Sequence, residues 1–348
     1  MRGRPSRTGA LFASQMAMPT MCNPGLAHLA RGGNLRMSIM VTGGTGFLGS
    51  HVVRHLSEGG KDFFLATHDD TDLTDQAAVE RLFAERQPSE VIHLAAEVGG
   101  IGANQENPGR YWYSNLMMAL NVVEQSRAHE VRKLTTVGSI CAYPADAPIP
   151  FREEDLWAGY PEETNASYGV AKRALLVGAQ AYRQQYGTNI IHLMPVNMYG
   201  PHDNFDLQTS HVIPAIIRKM HEAAERNDAD VVLWGDGSAT REFLYADDAA
   251  RGILLAAEHY NGAEPINLGT GQEVSIRELA QLIAELTGFT GRIVWDTSRP
   301  NGQPRRQLDV SRAREHFGFV ASTPLEEGLR HTIDWYLSGR PGPDAPAP

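Results

Sequence analysis

Residues 38–60 read SIMVTGGTGFLGSHVVRHLSEGG. A short apolar run at 38–42 passes directly into a glycine turn. Gly43, Gly46 and Gly49 fall three apart, and Val52, Val53 and Leu56 then recur at helical spacing up to a Gly-Gly stop. A strand, a glycine turn and a helix in this order bring backbone N–H groups close to a pyrophosphate. The helix N-terminus adds partial positive charge there. Gly43, Gly44, Thr45, Gly46, Phe47, Leu48 and Gly49 are therefore a candidate phosphate loop for a dinucleotide. A glycine pattern alone is weak; the flanking strand and helix give this one its weight.

The same alternation continues outward. FFLA (63–66) reads as a second strand, DQAAVERLFAER as a helix, VIHLAA (91–96) as a third strand, about 108–128 as a long helix and KLTTVGS as a fourth strand. A helix begins near 165, and NIIHLMP follows as a buried strand. Such alternation predicts an α/β fold: a Rossmann-type, doubly wound parallel sheet with helices on both faces. Beyond the loop YGPHDNFD the pattern is less regular, with a helix, VVLWGDG, short strands (PINLG, RIVWD) and two more helices. The expected division is a dinucleotide-binding domain over 37–198 with a returning segment near 240–270. A smaller mixed α/β substrate-binding region occupies mainly 199–340, and 341–348 is a tail.

Net charge is −10, which argues against nucleic-acid partners. No apolar run approaches the ~18 residues of a membrane span. Cys22 and Cys141 are too few for a disulfide framework or zinc site, so no metal and a reducing cytoplasmic setting are expected. Residues 1–36 carry five arginines and no acid. They read as a disordered or spurious extension rather than a transit peptide, because amphipathic periodicity is weak.

Chemistry gathers at three places. Acidic residues follow the second strand: Asp72, near His68 and Leu73, suits an adenine amino group, whereas Asp75 suits a helix N-cap. At the exit of the fourth strand, VGSICAYP places Ser139 and Cys141 two apart, on one face if the chain is extended. Tyr168 and Lys172 are four apart on a helix, where an ammonium favours phenolate and lowers the tyrosine pKa from about 10. Serine, tyrosine and lysine together suit hydride transfer at a carbonyl.

These motifs (TGGTGFLG, DLTD, HLAA, Ser139 and YGVAK) resemble the extended short-chain dehydrogenase/reductase superfamily over residues 38–338. Longer blocks, among them VGGIGANQENPGRYWYSNLMMALNVV, SICAYP, MPVNMYGPHDNFD, SHVIPAIIRKMHEA, WGDGSATREFLY and RPNGQPRRQLDV, resemble its GDP-L-fucose synthase family. That resemblance implies 3,5-epimerisation of GDP-4-keto-6-deoxy-D-mannose followed by NADP(H)-dependent reduction of the 4-ketone. It implies Cys141 as base and His211 as acid, with Ser139 and Tyr168 on the carbonyl oxygen and Lys172 on the cofactor ribose. Val137, Gly138, Pro195, Val196, Asn197, Met198 and His211 would line the cofactor. Lys219, Trp234, Arg241 and Asn301 would hold the GDP end. A homodimer paired through helices 108–128 and 165–186 is also implied.

Each residue has a plainer reading: Cys141 a small buried hydrophobe, His211 a helix cap, Trp234 a core residue, Arg241 a surface ion-pair partner. Two positions depart from the family pattern. Thr45 and His68 stand where arginines hold the NADPH 2′-phosphate, so NAD(H) becomes admissible. Asn301 stands where aspartate is frequent. Related substrates, a GDP-4-keto-6-deoxy-heptose or a colitose precursor, use the same chemistry. A different nucleotide-sugar epimerase, a dehydratase, or a nicotinamide-binding regulator without turnover are the other readings. Ile140 after Ser139 disfavours a dehydratase, and retention of Tyr168 and Lys172 disfavours a regulator.

Overall fold

The computed structural model describes residues 38–299 and 301–339. The sequence expectations for 1–36, with Cys22, and for 341–348 fall outside them. In chain order the elements are β1 (Ile39–Thr42), α1 (Phe47–Glu58), β2 (Phe63–Ala66), α2 (Gln76–Arg86), β3 (Glu90–His93), α3 (Ile101–Glu106), α4 (Pro108–Ala128) and β4 (Lys133–Val137). Next come α5 (Ala166–Tyr186), β5 (Ile190–Pro195), β6 (Asn197–Tyr199), α6 (Val212–Arg226), β7 (Asp230–Trp234), β8 (Thr240–Tyr245), α7 (Ala246–His259) and β9 (Ile266–Leu268). The described chain finishes with β10 (Glu273–Ser275), α8 (Ile276–Thr287), β11 (Arg292–Asp296), α9 (Ser311–Phe317) and α10 (Leu325–Ser338).

The main sheet is parallel throughout, in the order β2-β1-β3-β4-β5-β9. Every residue of β4 and β5 is buried, as expected for central strands covered on both faces. One face packs Val52 and Leu56 of α1 with Ala249, Ile253 and Ala256 of α7. The other packs Val79 and Leu82 of α2, Val122 and Val123 of α4, and Ala179 of α5. This is the doubly wound Rossmann arrangement. Chain direction across the sheet reverses between β1 and β3, which makes their carboxyl ends the place for a ligand.

A third core joins α6, α8 and α10 to β7 and β8, with Ile217, Met220, Ile283 and Leu329 fully or almost fully buried. Beside it lie a three-stranded sheet, β10-β8-β6, and the parallel pair β11-β7. Glu242 of β8 ties this region to the Rossmann sheet. Its fully buried carboxylate accepts backbone N–H bonds from Thr270, Gly271 (2.8 Å) and Leu308 (2.7 Å).

Two local expectations change. The third strand ends at His93 rather than Ala96, because its partners run out: Thr42 of β1 and Thr136 of β4 pair with His93. After β4 the chain is not extended at 140–142; Ile140–Ala142 form a short 3-10 turn. Ser139 caps it, its Oγ accepting the Cys141 N–H at 3.2 Å, so the two residues meet through a turn rather than along one strand face.

Candidate active site

The phosphate loop lies at the sheet's reversal point. Gly43 has φ +67°, and a Cβ there would stand 2.7 Å from the Ala95 backbone nitrogen after β3. A Cβ on Gly49 would stand 1.9 Å from the Gly43 carbonyl, so only glycine lets α1 start this close to β1. Gly46 N-caps α1 with no side-chain hydrogen bond, and a Cβ there would meet nothing closer than 3.4 Å. Thr45 and Gly46 are exposed while Gly44 and Gly49 are buried, with Phe47 and Leu48 between. The cradle fits a dinucleotide pyrophosphate.

Past β2, His68 and Asp72 are exposed. Asp72 Oδ1 already accepts from Thr74 N and Oγ1 at 2.8 and 2.7 Å, which lowers its pKa. Leu73 is buried and its carbonyl accepts from Asn121. Asp75 caps α2, accepting from Ala77 N and Ala78 N.

Ser139, Cys141, Tyr168 and Lys172 come together around the ends of β4 and α5. Lys172, buried on α5, donates to the Val137 carbonyl at 3.0 Å, and its Nζ lies 5.6 Å from the Tyr168 ring centroid. Burial depresses the ammonium to a pKa of about 8. Two buried imidazoles, His93 and His192, also feel it. Both fall to about 3, first through burial and then through Lys172's charge. Their Nδ1 atoms meet Thr42 Oγ1 and Thr136 Oγ1, each at 2.8 Å. Gly138 leaves the room His192 needs, since a Cβ there would stand 2.5 Å from its Nε2.

The expected lowering of the Tyr168 pKa does not hold. Burial and the neighbouring Cys141 raise it, and the hydrogen bond with Ser139 only partly opposes them. Desolvation outweighs an ammonium held by a backbone carbonyl.

Cys141 is a free, partly buried thiol. A guanidinium N–H of Arg306 reaches its sulfur at 3.9 Å. Arg241, on β8, lies close enough for Cys141 and Arg306 both to act on it; burial, then Arg306, brings its pKa to about 10. His211 stands just before α6 and makes no side-chain cap bond, so capping is not its role. Residue 211 is exposed, yet desolvation by the surrounding protein lowers its imidazole pKa. Pro195 and Val196 leave the sheet at β5, Val196 N bonding Leu268 O at 2.9 Å. Asn197 and Met198 start β6, with Asn197 donating to the Glu242 carbonyl.

The four residues expected at the GDP end lie on α6, β7, β8 and the segment after β11. Lys219 of α6 donates to Val232 O at 3.1 Å and is depressed by burial. Trp234, at the end of β7, is 56% exposed and is not a core residue. Asn301 Oδ1 accepts the Asp236 N–H at 2.9 Å, and its carbonyl accepts from Arg241. Arg299 covers the Trp234 ring at 5.1 Å.

Sequence reading missed Arg306 and its partner Glu162. Both lie in irregular segments, and no spacing rule joins positions 141, 162 and 306. Among the described residues no His/Cys/Asp/Glu group could hold a metal ion.

A Rossmann cradle beside a serine–tyrosine–lysine group defines a nicotinamide-dependent oxidoreductase of nucleotide-linked substrates. The model of the NAD dependent epimerase/dehydratase family matches residues 39–269. A probable GDP-L-fucose synthase 1 of Oryza sativa subsp. japonica is 44% identical, covering 92% of this chain and 98% of its own. A GDP-L-fucose synthetase structure from Naegleria fowleri aligns with TM-score 0.80 and 32% identity, covering 87% and 94% of the two chains. A GDP-6-OMe-4-keto-L-xylo-heptose reductase from C. jejuni aligns with TM-score 0.83 and 30% identity, covering 88% and 99%. The chain belongs to the NAD dependent epimerase/dehydratase family and, within it, to the GDP-L-fucose synthase group of NAD(P)-dependent epimerase-reductases.

Proposed function

We propose that the protein epimerises GDP-4-keto-6-deoxy-D-mannose at carbons 3 and 5 and then reduces the 4-ketone, giving GDP-L-fucose. The observation that carries this reading is Cys141, held against Arg306 beside the Ser139–Tyr168–Lys172 group. Hydrogens next to a ketone are acidic because the resulting charge moves onto the carbonyl oxygen. Cys141 thiolate takes such a proton, the C–H electrons pass to oxygen as an enolate, and Ser139 and Tyr168 hold that oxygen. His211 returns a proton to the opposite face. An enolate beside it favours its charged form against the desolvation that otherwise keeps it neutral.

A bound reduced nicotinamide supplies the hydride chemistry for carbon 4. Tyr168 O–H then protonates the oxygen, and Lys172 stabilises the phenolate that remains. The glycine loop holds the pyrophosphate, and Val137, Gly138 and 195–198 flank the nicotinamide end. Arg241 and Lys219 pair with the diphosphate, Trp234 offers a face to the guanine, and Asn301 completes the GDP end. Thr45 and His68 give a 2′-phosphate weaker partners than two guanidiniums would, so the cofactor is NADP(H) with weak discrimination against NAD(H).

A second copy of the chain covers α4 and α5, which leave Trp112, Tyr113, Leu120, Val177 and Tyr186 exposed. Sedimentation should show a dimer that Leu120→Glu dissociates; a monomeric wild type would refute this part.

Product analysis with the keto-sugar and each cofactor tests the reaction. The reduced-nicotinamide absorbance decays and GDP-L-fucose accumulates. A chain that only binds the cofactor leaves that absorbance unchanged.

A further inference from the structure

We infer that Arg306 is a positioning residue for the Cys141 base: it holds the sulfur as thiolate, aimed by a fork whose other arms are fixed. This deepens the proposed function and rests on its reading of Cys141.

The geometry uses three parts of the guanidinium separately. Nε donates to Gln303 Oε1 at 2.6 Å, one terminal nitrogen reaches Cys141 Sγ at 3.9 Å, and the other lies 3.9 Å from the Glu162 carboxylate. The anchors are themselves tied down. Gln303 donates to the Ala145 carbonyl, and Glu162 accepts from Thr164 Oγ1 and from Asn165 Nδ2. Arg306 is only 9% exposed, so water screens the contact with sulfur poorly. A rigid planar cation fits this role better than a flexible ammonium, because its arms cannot all turn toward Glu162.

The arrangement answers a chemical requirement. A thiol cannot take a proton from carbon until it is ionised, and Tyr168 beside it is a buried neutral phenol that offers no positive charge. Lys172 is engaged with Val137. Arg241 is near but directs its donors at the Thr240 and Asn301 carbonyls. Arg306 is thus the cation that addresses the sulfur directly. The carboxylate of Glu162 on its far side keeps the guanidinium from being a bare buried charge.

The test uses the full chain carrying Cys22→Ser, so that Cys141 is the remaining thiol. Iodoacetamide alkylation reads the thiolate fraction without any turnover. At pH 7 the rate falls ~10-fold in Arg306→Gln, which removes the cation that faces the sulfur. Arg306→Lys falls between the wild type and Arg306→Gln, because its single ammonium is shared with Glu162. At about pH 10, where an ordinary thiol is ionised, all three react alike. Unchanged alkylation of Arg306→Gln at pH 7 overturns the inference. So does an equal loss at both pH values, which marks a packing role. A raised KM for the sugar with normal alkylation also overturns it, by making Arg306 a substrate contact. These outcomes are independent of whether Cys141→Ser blocks epimerisation, so the two ideas fail separately.

Discussion

Lys172 Nζ lies 5.6 Å from the centre of the Tyr168 ring, one turn along the same helix, and donates to the backbone rather than to the phenol. The ammonium sits where burial holds its charge only weakly, at a pKa of about 8.

If Lys172 supports Tyr168 in reduction as proposed, the reaction depends on a lysine that titrates near physiological pH. kcat/KM for the ketone should fall as pH rises through about 8, because the cation that supports phenolate is lost there. Lys172→Met should lose at least ~100-fold in that rate and flatten the alkaline limb. A profile level to pH ~10 in the wild type contradicts this role.

Stability should have an acid limb set by His93 and His192. Both fold as neutral imidazoles with pKa about 3, against 6.5 when exposed. Between those values the unfolded chain binds protons that the folded chain excludes, so stability decreases as pH falls below about 6.5. Each histidine contributes a slope of up to about 1.4 kcal/mol per pH unit. Urea melts at pH 7 and 5 measure this, and His192→Asn should reduce the slope. Equal midpoints at the two pH values count against it.

Glu242→Gln should cost about 1–3 kcal/mol, because an amide NH₂ would face one of the backbone donors that the buried carboxylate now satisfies. Thermal melting with and without cofactor reads the loss. A neutral substitution would mean that the tie between β8 and the 270 and 308 segments contributes little.

If cofactor choice rests on Thr45 and His68, as proposed, discrimination is weak. NADPH and NADH should differ by less than about tenfold in kcat/KM, and His68→Arg should raise the NADPH preference by about as much again. A wild-type preference above ~100-fold for NADPH places the 2′-phosphate on other residues.

How much of this was legible in the sequence depended on local periodicity. α4 and α5 end where their apolar spacing ends, and β1–α1 is punctuated by glycines that the backbone requires. α7 was not read as a helix, although its buried Ala246, Ala249, Ala250, Ile253 and Ala256 recur at helical spacing. The three-residue β6 exists through pairing with β8, which no single stretch displays. Ser139, Tyr168 and Lys172 were visible from spacing and motif. The turn at 140–142 and the dominance of burial over Lys172 at Tyr168 were not, because both arise from distant packing.

Solvent exchange at carbons 3 and 5 tests the central claim most directly. Wild-type protein with GDP-4-keto-6-deoxy-D-mannose in D₂O, with no reductant, should incorporate deuterium at both carbons, while Cys141→Ser should lose at least ~100-fold of that exchange and still bind the nicotinamide. Exchange by Cys141→Ser at the wild-type rate contradicts the account.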